Sequence, residues 1–193
     1  MKTRKIGLFA LSILAAGHLT FSQQYKLDPG HTLIEFNVER FMVGEVTGKF
    51  KKYEGTVTLD DNDELQSAGI IVQTGSLDTD HETRDEHLRG AMWLDTENHE
   101  ELTFRSSNIK SEDGQWFIEG DLTIKGKTNP VSFPFEMEGP FKDPTGANTI
   151  GLSGDLTINR QDYGIQFSKV MDNGELFIGN EVKIRIRALA IEQ

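Results

Sequence analysis

Apolar and polar residues alternate along most of this chain between Thr32 and Glu192. Successive side chains of a β-strand point to opposite faces, so this alternation predicts strands with one dry face and one wet face. We find about eight such runs, near residues 34–39, 53–59, 68–74, 102–107, 116–124, 131–138, 152–158 and 182–188. Short connections rich in Gly, Asn, Asp and Pro separate them, which favours antiparallel neighbours.

About eight antiparallel strands with one apolar face close most economically into a barrel. We therefore predict an all-β protein with an eight-stranded antiparallel barrel. A sandwich of two sheets remains the alternative, because periodicity does not distinguish the two architectures. No repeat, low-complexity segment or linker indicates a second domain, so residues 23–193 are predicted to form one domain.

One segment between the third and fourth of these runs breaks the alternation. Thr79 and Glu82 have the spacing of a capping box, and Gly90 follows as a stop signal. The pattern predicts a short helix over about residues 81–89, near one mouth of the barrel.

The first residues have the pattern of a signal peptide. Basic residues at Lys2, Arg4 and Lys5 precede an apolar run from Ile6 to Ala16, which is too short to span a bilayer as a helix. We predict residues 1–22 to be the signal peptide, with cleavage after Ser22. The alternative is a retained N-terminal anchor. An exported chain without cysteine suits a bacterial periplasm, so the location expected is periplasmic or secreted.

Charge and cysteine content exclude several classes of function. The chain has 20 Lys and Arg against 31 Asp and Glu, a net charge of -11, and removal of the three basic leader residues gives -11 - 3 = -14. Nucleic acids and anionic lipid surfaces both favour positive partners, so neither is expected as a ligand. The absence of cysteine excludes disulfides and thiolate chemistry.

The polar face of the strands carries charges such as Glu35 and Arg185, so the apolar face points inward and an integral membrane protein is not expected.

The inward positions include residues too small to fill a barrel. Five glycines alternate in step with the apolar residues and so fall on the inward face: Gly48, Gly55, Gly120, Gly139 and Gly154. They could leave an elongated apolar cavity; alternatively, they mark bulges or corners where the backbone bends. A linear lipid gains roughly 0.8 kcal/mol for each methylene buried there. The residues predicted to line the cavity are Ile34, Phe36, Phe50, Val57, Phe104, Ile118, Leu122, Phe133, Phe135, Leu156 and Ile184.

The order of the motifs resembles the YceI-like family, the lipocalin-like polyisoprenoid-binding proteins of bacteria, from about Tyr25 to Glu192. The resemblance rests on Leu27-Asp28-Pro29-Gly30-His31-Thr32, Gly48-Lys49-Phe50 with Gly55, Arg84-Asp85-Glu86-His87-Leu88-Arg89, Leu102-Thr103-Phe104-Arg105-Ser106, Gly120-Asp121-Leu122-Thr123-Ile124-Lys125-Gly126-Lys127-Thr128 and Ile158-Asn159-Arg160-Gln161-Asp162-Tyr163-Gly164. It implies a lipocalin-like barrel around an isoprenoid chain, often a homodimer, in the periplasm, and no established enzymatic activity. Two departures are Thr32, where serine is usual, and Glu100-Glu101, which replaces a proline-containing approach to the fourth strand.

Four polar residues are candidates for contact with a lipid headgroup: Arg84, His87, Arg160 and His31. A guanidinium binds phosphate through two parallel hydrogen bonds. The structural alternative for Arg160 is an ion pair with Asp162, Asp28 or Asp85. The alternative for Arg84 and His87 is a network with Asp28 and His31.

A catalytic function has less support. Neither His-Glu-x-x-His nor Gly-x-Ser-x-Gly occurs, and the spacing of His81 and His87 places them on different helix faces, so no metal site and no cofactor are predicted. The favoured function is a periplasmic protein that holds a polyprenyl or quinone-type lipid for transport, storage or sequestration. The alternatives are a structural or stress-related interaction protein with a self-filled core and, with less support, a hydrolase that uses His31 or His87.

Overall fold

The computed structural model describes residues 22–193, so the predicted signal peptide lies outside the described residues except for Ser22. The strands are β1 (Gln23–Leu27), β2 (Leu33–Arg40), β3 (Gly44–Phe50), β4 (Tyr53–Leu59), β5 (Leu65–Gln73), β6 (Leu77–Asp78), β7 (Glu101–Glu112), β8 (Gln115–Ile124), β9 (Lys127–Lys142), β10 (Asn148–Asn159) and β11 (Ile178–Glu192). Over the same residues they are accompanied by one α-helix, α1 (Glu82–Arg89), and two 3₁₀ helices, Thr74–Ser76 and Arg160–Tyr163.

A closed antiparallel ring of eight strands forms the barrel. Its order is β1, β4, β5, β7, β8, β9, β10 and β11, and β11 pairs back with β1, where Leu27 lies opposite Ala190. The predicted eight-stranded barrel is therefore confirmed, and the sandwich alternative is wrong. Three strands, β1, β3 and β6, were not among the predicted runs.

The hairpin of β2 and β3 extends the barrel beyond this ring. β2 pairs with the first part of β11, where Phe36 lies opposite Ile184, and with β3. On its other side β3 pairs only with the two-residue strand β6, through Lys49 and Phe50, among the described strands. The chain then enters α1 and the loop to β7. The barrel wall at this end is thus completed by a helix and a loop as well as by strands.

The two ends of the barrel are filled differently. At the end formed by β1 and β4, a cluster of buried side chains around Tyr25, Leu59 and Ile150 packs the interior. At the end formed by β2, β3 and α1, a smaller cluster around Ile124, Ile158 and Tyr163 lies beside open space. We call these the packed end and the hollow end.

Helix α1 begins one residue later than predicted, at Glu82, and ends at Arg89 as expected. The predicted capping box is wrong, because His81 is the N-cap and its Nδ1 accepts the Arg84 backbone N–H at 3.3 Å. The Thr79 hydroxyl instead donates to Asp85 Oδ1 at 2.6 Å. This bond and the neighbouring Thr79 backbone N–H to the same oxygen fix the start of the helix against β6.

Candidate functional site

An apolar cavity of about 960 Å³ occupies the hollow end of the barrel. This volume lies within the range of pockets that hold small organic ligands, about 300–1,000 Å³. Strands β2, β3 and β5 to β11 supply the wall, and α1 with the loop after it supplies the cover. Thr83, His87 and Met92 belong to both the lining and the exposed surface, so the cavity reaches solvent beside the helix. The prediction that α1 lies near one mouth is confirmed, and a wholly self-filled interior is wrong.

Eight of the eleven predicted lining residues contribute to this cavity: Ile34, Phe36, Phe50, Phe104, Leu122, Phe133, Leu156 and Ile184. The other three, Val57, Ile118 and Phe135, are absent from the lining and lie in the core cluster of the packed end. They share the inward parity of the lining residues, but parity does not report position along the barrel axis. The expected lining is corrected at these three positions.

Several lining residues were not predicted. Val38 and Val46 lie on β2 and β3 with inward parity, which the alternation could have indicated. Trp93, Phe167 and Phe177 come from irregular segments, where no periodicity exists to find them. The Trp93 ring stacks on that of Phe167, with 5.0 Å between centroids.

The inward glycines do not leave the cavity empty. A Cβ placed on Gly120 would lie 2.7 Å from the Phe104 ring, and one on Gly154 would lie 3.1 Å from the Phe133 ring. At Gly55 the same space is filled by the side chain of Leu27, at 2.7 Å. Glycine therefore admits a neighbouring side chain at these positions, and the expectation that the missing side chains create the cavity is wrong.

Arg160 is buried, with 2% of its surface exposed, and it lines the cavity. Its guanidinium donates from Nε to the Gly179 carbonyl at 2.9 Å, from Nη1 to the Ile165 carbonyl at 2.7 Å and from Nη2 to Asn180 Oδ1 at 2.9 Å. Burial lowers the pKa of the Arg160 guanidinium from its ordinary value, although arginine stays charged in proteins. Arg160 joins the start of β11 to the segment after the second 3₁₀ helix.

The expected ion pair of Arg160 is wrong. Its hydrogen-bond partners are carbonyl groups and an amide, and none of the ion pairs within residues 22–193 includes it. The structural role expected as the alternative is present, but with neutral partners. A buried guanidinium bound in this way is a clamp between segments.

Arg84 and His87 lie on α1 and line the cavity. Arg84 donates from Nε to Thr79 Oγ1 and from Nη2 to the Thr79 carbonyl, both at 2.7 Å. The network expected with Asp28 and His31 is wrong, since Thr79 and Asp85 take that place. Within the described residues Arg84 has no carboxylate within 4.0 Å, and His87 is exposed.

His31 lies apart from the cavity. Its Nδ1 is 2.7 Å from Asp28 Oδ2, in the exposed turn between β1 and β2, and its side chain is largely exposed. This contact holds the pKa of Asp28 below its usual range, with a further contribution from the Gly30 backbone N–H. His31 is thus removed from the candidates for headgroup contact.

A third arginine, Arg40, was not predicted. It ends β2, lines the cavity, and places its guanidinium 5.0 Å from the centroid of the Phe41 ring and 4.9 Å from that of Phe177. Its buried Nε has no hydrogen-bond partner among residues 22–193. Because a buried unpaired N–H is costly, this group is available to an acceptor that enters the hollow end.

These features define a class of protein: a β-barrel with a charged outer face and an apolar cavity that opens beside a helix. Residues 25–190 match the family described as YceI-like domain, and the chain belongs to that family. It is 34% identical over 168 residues to a UPF0312 protein of Staphylococcus epidermidis, covering 86% of this chain and 95% of that one. It is 31% identical over 169 residues to Protein YceI of Escherichia coli O157:H7, covering 86% and 88%.

Solved structures share the fold. BcnA of Burkholderia cenocepacia superposes with a TM-score of 0.73 at 24% identity, covering 84% of this chain and 98% of that one. A polyisoprenoid binding domain from Saccharophagus degradans superposes with a TM-score of 0.66 at 13% identity, covering 88% and 98%. Between Ser22 and Gln193, no helix combines the length and the hydrophobicity needed to cross a membrane.

Proposed function

We propose that this protein binds a lipid with an isoprenoid chain, of the polyprenyl or quinone type, in the cavity of its hollow end. The observation that carries the proposal is the cavity itself, about 960 Å³ and walled by aliphatic and aromatic side chains. Ten or so buried methylenes contribute roughly 8 kcal/mol before ordering costs, which is enough for useful affinity without a polar contact. The Saccharophagus degradans relative, described as a polyisoprenoid binding domain, supports the choice of chain.

The lipid headgroup is proposed to lie near Arg84 and His87. Both residues line the cavity on α1, close to its opening. In the described part of the chain, the Arg84 guanidinium donates only to neutral oxygens of Thr79. An anionic headgroup would gain a charge-assisted hydrogen bond there. Arg160 is a weaker candidate, because its hydrogen bonds to Ile165, Gly179 and Asn180 already hold it in place.

The protein is proposed to carry, store or sequester this lipid in the periplasm or outside the cell. The leader over residues 1–22 supports export, and the charged outer face of the barrel supports a protein that carries its ligand through water. No residue is assigned a catalytic role, and a homodimer stays a prediction from the family resemblance.

The cavity provides its own fluorescent reporter. The chain has two tryptophans; Trp93 lines the cavity, whereas Trp116 lies on β8 outside it. In a Trp116→Phe background, binding of a short-chain ubiquinone is expected to quench the remaining fluorescence. Native mass spectrometry of protein purified from its host is expected to show a bound species of prenyl-lipid mass.

A matched pair of variants locates the binding. Ile184→Phe adds bulk inside the cavity, and Lys183→Phe adds the same ring on the outer face of the same strand. We expect the first to weaken ubiquinone binding several-fold and the second to leave it unchanged. No quenching of Trp93 together with no copurifying lipid would reject the proposal. Equal effects of the two variants would place the lipid outside the cavity.

A further inference from the structure

The turn between β2 and β3 exposes three consecutive apolar residues, Phe41, Met42 and Val43, which we call the 41–43 tip. Phe41 and Met42 have φ angles of 55° and 65°, so the chain reverses tightly and holds these side chains at the end of the hairpin. Val43 is 92% exposed. Single exposed apolar side chains are common on soluble proteins, but a projecting run of three indicates a contact surface.

The 41–43 tip is continuous with the cavity. The Phe41 ring packs edge-on against Phe177, with 4.6 Å between centroids, and the Phe41 N–H donates to the Phe177 carbonyl at 3.2 Å. Phe177 and Arg40 both line the cavity. An apolar surface therefore runs from the tip to the interior without a polar break at Phe177.

Two cations lie at the base of the 41–43 tip. The Arg40 guanidinium rests against Phe41 and Phe177, and Lys169 Nζ lies 5.7 Å from the centroid of the Phe177 ring. Neither cation forms an ion pair in the part of the chain that the structure describes, and Arg40 Nε lacks an acceptor. Apolar side chains in front of cations match the order of a phospholipid surface, where acyl chains lie below phosphates.

We propose that the 41–43 tip docks on a zwitterionic phospholipid bilayer and places the cavity at the membrane surface. Phe41, Met42 and Val43 enter the acyl boundary, while Arg40 and Lys169 lie at the level of the phosphates. Glu39 and Glu45, cross-strand partners in the same hairpin, together with the acidic net charge, oppose binding to anionic lipid. The inference rests on the proposed function only for the reason that docking is useful: a lipid carrier needs access to the membrane.

The test measures partition onto phosphatidylcholine vesicles by flotation, using the chain from Gln23 onward. All strands of the closed ring lie within that chain. The tip variant is Met42→Glu with Val43→Glu. Its control is Phe141→Glu, which changes a comparably exposed apolar residue at the packed end, 48% exposed and paired with Thr149.

We expect the tip variant to reduce vesicle partition about tenfold or more, because a charged side chain is unfavourable in the acyl region. Phe141→Glu is expected to partition as the unchanged chain does. Both variants should retain ubiquinone quenching of Trp93 in vesicle-free solution, since neither changes the cavity wall.

Three results would overturn the docking inference. The first is that the unchanged chain does not float with the vesicles. The second is that Phe141→Glu loses as much vesicle partition as the tip variant. The third is that sedimentation velocity shows a dimer, which the tip substitutions dissociate while vesicle partition stays constant. The last result would assign the tip to a second copy of this chain. Flotation through the tip without ubiquinone binding would reject the proposed function and leave the docking surface in place.

Discussion

The ring of Phe36 lies over the backbone of Gly48, its partner across the β2–β3 hairpin. A Cβ on Gly48 would lie 2.7 Å from Phe36 Cε1 and 2.7 Å from Thr79 Cγ2. The same ring faces Phe50, with 5.8 Å between centroids. Glycine at position 48 thus determines where an aromatic wall residue of the cavity lies.

Gly48→Val is expected to destabilise the fold by about 1–3 kcal/mol, because the Phe36 ring must leave its present position. Ubiquinone binding should weaken as well, since Phe36 belongs to the lining. Urea unfolding and Trp93 quenching measure the two effects. Gly151→Val is the control, because within the described residues no heavy atom, apart from those of the two adjoining residues, lies within 4 Å of a Cβ placed at Gly151. An equal loss of stability in both variants would contradict the account of Gly48.

The packed and hollow ends should respond differently to loss of an aromatic ring. Phe135→Ala leaves a new void in the core cluster and is expected to cost about 3–5 kcal/mol of unfolding free energy. Phe50→Ala opens onto space that already exists, so we expect a smaller cost, about 1–2 kcal/mol. Chemical denaturation measures both. A greater cost at Phe50 would contradict the division of the barrel into two ends.

Arg160→Met tests whether the hydrogen bonds of Arg160 to the Ile165 and Gly179 carbonyls stabilise the fold. The substitution leaves the carbonyls of Ile165 and Gly179 without their donor, so we expect a loss of about 2–4 kcal/mol in the free energy of unfolding. Arg185→Met, on the outer face of β11, is the comparison and should change stability by less than about 1 kcal/mol. Should Arg160→Met unfold like the unchanged chain yet lose affinity for anionic prenyl lipid, Arg160 would be a ligand contact.

The junction of β3 and β6 is expected to weaken in acid. The side-chain contact with Lys51 and the Asp80 backbone N–H hold the pKa of Asp78 below its usual range. A carboxyl group whose folded pKa is depressed stabilises the fold above its unfolded pKa, and that contribution disappears as pH falls through the folded pKa. Lys51→Met should therefore raise the pKa of Asp78, as measured by carbon-detected NMR titration.

Asp143 is the internal reference for that titration. Its pKa is also lowered, but by hydrogen bonds from Thr145 and other residues of its own turn rather than by Lys51. A shift of both carboxyl groups in Lys51→Met would indicate a change in global stability rather than the loss of one contact.

Most of the barrel could be predicted from the chain alone. Alternation along β8 to β11 separates inward from outward side chains, and the observed burial of Ile118, Phe133 and Ala188 follows it. Helix α1 was visible as a break in that alternation. Three strands are absent from the predicted runs. β1 and β3 are short and interrupted by Gly or by polar residues on both faces, and β6 has only two residues, so their periodic signal is weak.

The alternation of apolar and polar residues does not predict the position of a residue along the barrel axis. Val57 and Phe50 both lie on the inward face of their strands. Val57 nevertheless packs in the core cluster, whereas Phe50 lines the cavity. The hydrogen-bond acceptors of Arg160 could not be predicted either. The Gly179 and Ile165 carbonyls belong to segments that only the closure of the barrel brings together.

The amino-acid sequence by itself determined which side of each strand is dry, because that depends only on neighbouring residues and the period of two. Where the interior stays open depends on how α1, the β2–β3 hairpin and the start of β11 meet, and these contacts join residues far apart in the chain. Tertiary packing alone therefore decided that one end is filled by Tyr25 and Ile150, while the other, beside Phe36 and Trp93, has room for a ligand.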